Sequence, residues 1–337
     1  MNRNSEMSNT AHETRSSADR LGQNKTGSPL PKALFLAAAA LAIVGTAPEL
    51  RASENVPRKP FAEWAQLPAP HQLTVRLWYQ EGEAYHIWDG DRVHNVTVDR
   101  GSDEYGIDHM QGIVALEYGI AERWAADLNL GYGTVGTRSF NPSGSSESTS
   151  GLLDTSLGVR YQIFSEGQSG RSCLPTLTFR AGAVLPGSFD KHFPFAPGHK
   201  SAAIEPGLLM RKHLGWTGFG VYADAFYRWM KTTGDDQYAV AAGFFQEIKG
   251  WTLNAGYRHF QQISGYNLDY QGLGEELEYS PEVREISDAI EAGFSYTTPK
   301  RHIKYGFYTR KTIDGSNTDS TFWISGYVEI PISLTRW

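Results

Sequence analysis

The chain has 337 residues, of which 40% are hydrophobic, 12% aromatic and 20% charged, with 35 glycines, one cysteine and a net charge of −6. A mean hydropathy of −0.42 excludes a bundle of membrane helices, each needing about 20 consecutive apolar residues. The lone Cys173 excludes a disulfide framework and any four-cysteine metal centre, and the mild acidity gives no footprint for nucleic acid.

The one continuous apolar run, residues 33–45 (ALFLAAAALAIVG), is too short to span a bilayer and has the length of a signal-peptide core. Lys32 precedes it, and Leu50-Arg51-Ala52 before Ser53 supplies a cleavage site with a small last residue. Residues 1–52 are therefore expected to be removed on export. Residues 53–70 (SENVPRKPFAEWAQLPAP) are proline-rich and read as a tether or partial plug rather than a strand.

From Leu73 onward the apolar pattern has period two, the mark of strands with one apolar and one polar face. Leu153, Thr155, Leu157, Val159, Tyr161 and Ile163 alternate with Asp154, Ser156, Gly158, Arg160 and Gln162. The same reading places strands near 73–80, 110–120, 124–133, 152–163, 174–186, 202–211, 216–230, 236–247, 251–261, 284–297, 302–312 and 320–334. An even set of about twelve strands, most of them long enough to cross a membrane at a tilt, predicts an all-β fold. The expected architecture is a transmembrane antiparallel β-barrel over residues 71–337.

Long polar connections (81–109, 134–151, 187–201, 262–283, 313–319) alternate with short turns, with 231–235 the one short exception on the long side, the loop asymmetry of an outer-membrane barrel. Trp124, Trp216 and Trp251 each open a strand after a short turn, as an interfacial aromatic girdle would. The final strand leads to Trp337, a terminal aromatic suited to recognition by the outer-membrane assembly machinery.

The face opposite the apolar one carries the acids Glu117, Asp127, Asp154, Glu205, Asp224, Glu247, Glu291 and Glu329. It also carries the bases Arg76, Arg160, Arg180, Arg228, Arg258, Lys304 and Arg310. So many charges would cost several kcal/mol each in a dry core unless paired, and a wet or ion-paired lumen accommodates them. Trp78, Tyr222, Phe226, Phe245, Phe260, Tyr308, Trp323 and Tyr327 share that face. Arg76, Arg160, Arg180, Asp224, Arg228, Arg258, Tyr222, Phe226 and Glu291 are thus the candidate pathway residues, because rings can stack on an aromatic solute and hold arginines by cation–π contact.

Residues 116–133 (LEYGIAERWAADLNLGYG) and 151–164 (GLLDTSLGVRYQIF) carry a Tyr-Gly-apolar-x-Glu-Arg turn, Tyr118 to Arg123. A Gly-x-x-Asp-x-x-Leu-Gly-x-Arg-Tyr strand follows at Gly151, Asp154, Leu157, Gly158, Arg160 and Tyr161, and then Leu185-Pro186-Gly187. In these features, over about 110–260, the chain resembles the outer-membrane transporter family of the MetA pathway of phenol degradation. It departs from the family pattern at Leu153, where a glycine is usual. The resemblance implies passage of small hydrophobic or aromatic compounds across the outer membrane of a Gram-negative bacterium.

Other chemistries have weaker signals. Asp89/Asp91 and Asp190/His192 are carboxylate and carboxylate–imidazole pairs that could serve an omptin-like protease if they met. His199-Lys200-Ser201 has the spacing of a lipid esterase. His86, His94 and His109 match no tight metal motif, no glycine-rich phosphate loop is present, and no cofactor is expected. The acidic loop 262–283 suits a structural or adhesive surface protein.

Overall fold

The computed structural model describes residues 58–95, 98–100, 103–137, 147–166, 174–189, 195–196, 201–215, 217–231, 236–265, 267 and 283–334. Outside the described residues lie the expected signal peptide, Trp216, Asp190, His192, His199, most of the acidic loop and Trp337.

The period-two segments become the barrel strands β1 (Gln72–Ala84), β2 (Ile107–Ala121), β3 (Trp124–Thr137), β4 (Thr155–Phe164), β5 (Thr176–Leu185) and β6 (Ala203–His213). They continue as β7 (Phe219–Met230), β8 (Gln237–Ile248), β9 (Trp251–Gln262), β10 (Ile286–Thr297), β11 (Lys304–Ser316) and β12 (Phe322–Ser333). Each pairs antiparallel with its sequence neighbour, and β12 pairs with β1 from Gln72↔Ser333 to Glu83↔Phe322. That last ladder closes the sheet and leaves no open edge between its first and last strands.

Alternation sorts the side chains by face. On β7, Gly220, Tyr222, Asp224, Phe226, Arg228 and Met230 are buried, whereas Phe219, Ala225 and Trp229 are exposed. Around the wall, Leu77, Val114, Leu130, Phe179, Leu208, Val240, Phe244, Leu253, Ile290, Phe294 and Ile324 all point out, a broad apolar belt. At the short-turn end, Trp251 meets Phe294 and Tyr296, and Trp124 meets Tyr161 with ring centroids 4.7 Å apart. These rings form the expected girdle at the positions of Trp124 and Trp251. No helix among the described residues is long and apolar enough to cross a membrane; the crossing is made by strands.

Two expectations need correction. The fourth strand does not alternate without interruption: a stretch Glu147–Leu152 pairs with the outer half of β3, and the ladder breaks at Leu153–Asp154 before β4 resumes. Leu153, expected on the outer face, is fully buried, and its side chain lies against Gly131 and Gly133 of β3. Those glycines leave space that an alternating Leu153 could not reach, so the break turns the side chain inward. Nor is 81–109 a plain loop. β1 and β2 extend into it, and between them stand two hairpins, His86–Asp89 with Arg92–Asn95 and Val98–Arg100 with Asp103–Tyr105. Ile87 and Trp88 of the first hairpin are buried, and Trp88 N–H donates to Thr318 O at 2.8 Å, tying this loop to the one between β11 and β12.

Candidate functional site

Residues 58–70 lie within the barrel, and this placement organises the lumen. Proline at 60, 68 and 70 limits regular structure, so only a short 3-10 turn forms at Glu63–Ala65. Phe61 and Ala62 enter it in left-handed conformation, with φ of 59° and 48°. Non-glycine residues there cost on the order of 1–3 kcal/mol each, and surrounding contacts hold them. Arg211 donates to Phe61 O at 3.0 Å, while the Phe61 ring sits edge-on to Tyr222 and Tyr308 at 5.8 and 5.4 Å. Below the turn, Arg160 donates to Trp64 O at 2.9 Å and Thr178 to Ala65 O at 2.7 Å. At the short-turn mouth His71 N–H donates to Gly119 O at 2.7 Å.

The lumen charges form two clusters. In the larger one Glu205 is fully buried and accepts from three arginines: Arg58 at 2.7 Å, Arg180 at 3.2 Å and Arg228 at 2.6 Å. Arg180 also holds Asp127 at 2.7 Å, and Arg160 approaches Asp127 at 3.3 Å while pairing with Glu117. From there the chain of contacts passes through Lys59, which bridges Glu117 and Glu329, to Arg76 and Lys304, both paired with Glu63. The segment contributes Arg58, Lys59 and Glu63 to a network otherwise built from strands. In the second cluster Glu291 accepts from Arg258 at 3.2 Å, Tyr222 at 3.2 Å and Tyr308 at 3.3 Å, with Asp224 at 3.8 Å from Arg258.

Rings separate these charges. Arg58 lies over Phe226 at 4.5 Å, Arg180 over Trp64 at 4.7 Å, Arg76 over Tyr327 at 4.0 Å and Arg211 over Phe245 at 3.9 Å. Such contacts are worth about 0.5–2 kcal/mol each, and they fix the guanidinium planes as well as their charges. Beneath the segment a cavity of about 570 Å³ opens at the short-turn end. Lys59, Glu63, Gln66, Arg211, Glu247 and Lys304 are among its walls.

Every pathway residue named from sequence is inward and buried: Arg76, Arg160, Arg180, Tyr222, Asp224, Phe226, Arg228, Arg258 and Glu291. Sequence reasoning missed Arg211, which lay at the expected end of its strand although it continues the inward series Glu205, Gly207, Leu209. It also missed Arg58, Lys59, Glu63 and Trp64, whose stretch has no periodicity to assign a face. Of the groups weighed for hydrolysis, Asp89, Asp91 and Ser201 are among the described residues. Asp89 faces His94 at 3.7 Å across the turn of the first hairpin, and Asp91 is exposed beside it. Ser201 is buried, its hydroxyl 3.5 Å from its neighbour's carbonyl. His109 lies tilted against Trp323 with ring centroids 5.2 Å apart and contacts Asp319 at 3.1 Å, and Asp319 in turn bridges Ile87 beside His86. Desolvation would raise the Asp319 carboxyl, but the hydrogen bond to His109 holds it below its ordinary value.

A family model described as "Putative MetA-pathway of phenol degradation" matches residues 116–318. No curated protein matches the sequence. Among solved structures, the COG4313 outer membrane channel from Pseudomonas putida F1 is similar at 13% identity, with a TM-score of 0.59 over 82% of this chain and 100% of that one. The toluene transporter TodX of P. putida matches at 10% identity and a TM-score of 0.39 over 82% and 93% of the two chains. KdgM porin matches at 9% identity and 0.41 over 76% and 98%. The first of these shows the fold: a twelve-strand barrel of the kind found in the outer membrane of Gram-negative bacteria, where the apolar belt places this chain.

Proposed function

The chain belongs to the family of the MetA pathway of phenol degradation, and from that membership we propose that it is an outer-membrane channel for small hydrophobic or aromatic solutes, held shut by residues 58–70. One observation carries the reading: an apolar-walled, closed barrel encloses an ion-paired lumen in which Tyr222, Phe226 and Tyr308 alternate with Arg228 and Arg258. Eight-strand barrels are filled by side chains and those of 16–18 strands leave wide aqueous pores. Twelve strands give an intermediate bore, which one short segment is enough to block. The rings offer faces for an aromatic solute, and the arginines supply cation–π partners. We read the chain as a channel rather than an enzyme on its family membership and its closed barrel. The strand β12 leads to Trp337, which we assign to recognition by the assembly machinery.

The test is uptake of a panel of aromatic and aliphatic solutes into liposomes holding the refolded protein, with planar-bilayer recordings alongside. The intact chain should conduct weakly, and a variant lacking residues 53–70 should conduct more strongly. No conductance and no uptake by either form would refute the channel.

A further inference from the structure

The cavity beneath the segment contains a buried guanidinium whose hydrogen bonding the lumen network leaves incomplete. Arg211 is 4% exposed and lines this cavity. One of its Nη atoms donates to Phe61 O at 3.0 Å; the other stands 3.6 Å from Glu247, beyond hydrogen-bond reach. Its Nε is buried and has no hydrogen-bond partner among the described residues. The Phe245 ring covers one face of the guanidinium at 3.9 Å and fixes its plane. The other buried bases of the wall have carboxylates in contact: Lys59 has Glu117 and Glu329, and Lys304 has Glu63. Two acids of the cavity act on Arg211: Glu63, which is committed to Arg76 and Lys304, and Glu247 on the neighbouring wall, whose side chain is 40% exposed and shared with His213. A buried donor left without a partner is costly, more so when it is charged. A planar guanidinium with a free N–H edge is built to take a carboxylate.

We propose that this cavity binds a small monocarboxylate solute, with Arg211 as the recognition residue. The inference rests on the channel reading for its biological meaning and gives it a substrate class: an organic acid with a short apolar body, accepted at the short-turn mouth. A cavity of about 570 Å³ holds a single-ring or short-chain acid, and Phe245 confines the carboxylate to the edge of the guanidinium. Glu247 competes for the same charge, so it sets the affinity from the neighbouring wall.

The test is calorimetric titration of the full refolded barrel with benzoate, hexanoate and the neutral benzamide. Binding of either carboxylate, with benzamide weaker by about tenfold or more, is expected from loss of a charge-assisted hydrogen bond. Arg211→Gln should weaken carboxylate binding by a similar factor while the barrel keeps its heat-modifiable electrophoretic mobility. Glu247→Gln, which leaves the buried network untouched, should tighten it about threefold, the scale of a partly exposed charge interaction. Benzamide binding as tightly as benzoate, or benzoate affinity unchanged or weakened by Glu247→Gln, would overturn the proposal. Carboxylate binding without uptake into liposomes would refute the channel and leave the site standing; uptake of hydrocarbons without carboxylate binding would do the reverse.

Discussion

Replacing Glu205 with glutamine tests whether the lumen is held by charge rather than filled with screening water. The carboxylate is fully buried and receives Arg228 through Nη2 and Nε at 2.6 and 2.9 Å, Arg58 at 2.7 Å and Arg180 at 3.2 Å. Glutamine keeps the shape and one acceptor but removes the charge. Arg180 would still hold Asp127 at 2.7 Å, and Arg228 would still reach Gln237 at 3.1 Å. The cluster would nevertheless keep three buried guanidiniums with one carboxylate fewer. Uncompensated buried charge of this kind costs about 3–5 kcal/mol. Arg58→Gln is the milder counterpart: two guanidiniums remain on Glu205, and the loss is that of the hydrogen bonds alone, about 1.5–3 kcal/mol. Urea unfolding of the protein in micelles, followed by tryptophan fluorescence, reads both as changes in midpoint at constant slope. The two substitutions should also be non-additive, since both act on one carboxylate. A Glu205→Gln barrel within about 1 kcal/mol of the parent, the range of exposed pairs, would show that water screens these charges and would refute a dry, ion-paired lumen.

Three further outcomes follow from the same geometry. At Gly119 an added Cβ would stand 2.0 Å from Ala69 O; Gly119→Ala should therefore loosen the segment from the mouth, raising conductance and proteolytic cutting near residue 70 while the barrel stays folded. Arg228→Ala with Arg258→Ala removes two bases from a nearly balanced lumen and should move the reversal potential toward cation preference; an unmoved potential would exclude these arginines from the conducting path. Glu166 lies in the turn after β4, where burial alone would raise its carboxyl, but hydrogen bonds from Lys212 and His213 hold it below the ordinary carboxylate value. A depressed folded-state pKa contributes stability that is present above the unfolded value and lost as pH falls through the folded one. Unfolding midpoints should accordingly drop below about pH 4.5, and Glu166→Gln should flatten that acid limb; an equally steep limb would place the sensitive group elsewhere.

The wall was legible because its information is local. A strand alternates faces every residue, so Tyr222, Asp224, Phe226 and Arg228 on β7 declare a common side without reference to the rest of the chain. Each pathway residue proposed from that pattern faces inward. Local alternation failed at Leu153, where Gly131 and Gly133 on the adjacent strand make the space that draws the side chain in. It also failed for the bases and rings of 58–70, whose stretch has no period to betray a buried face. Lys304 and Glu63 are 241 residues apart, and Arg58 and Glu205 are 147 apart; nothing in either neighbourhood announces the other.

By itself the sequence determined the number of strands, their polar and apolar faces and the membrane that suits them, since these follow from short-range alternation, strand length and loop asymmetry. Only the tertiary structure decided what fills the barrel. Closure of β12 on β1 brings distant acids and bases to one axis, and desolvated charges there must find partners. Most find them in one another and in the proline-rich segment. Arg211 is left with a free edge in a cavity, and that was decided by the packing of Phe61, Phe245 and Glu247 around it.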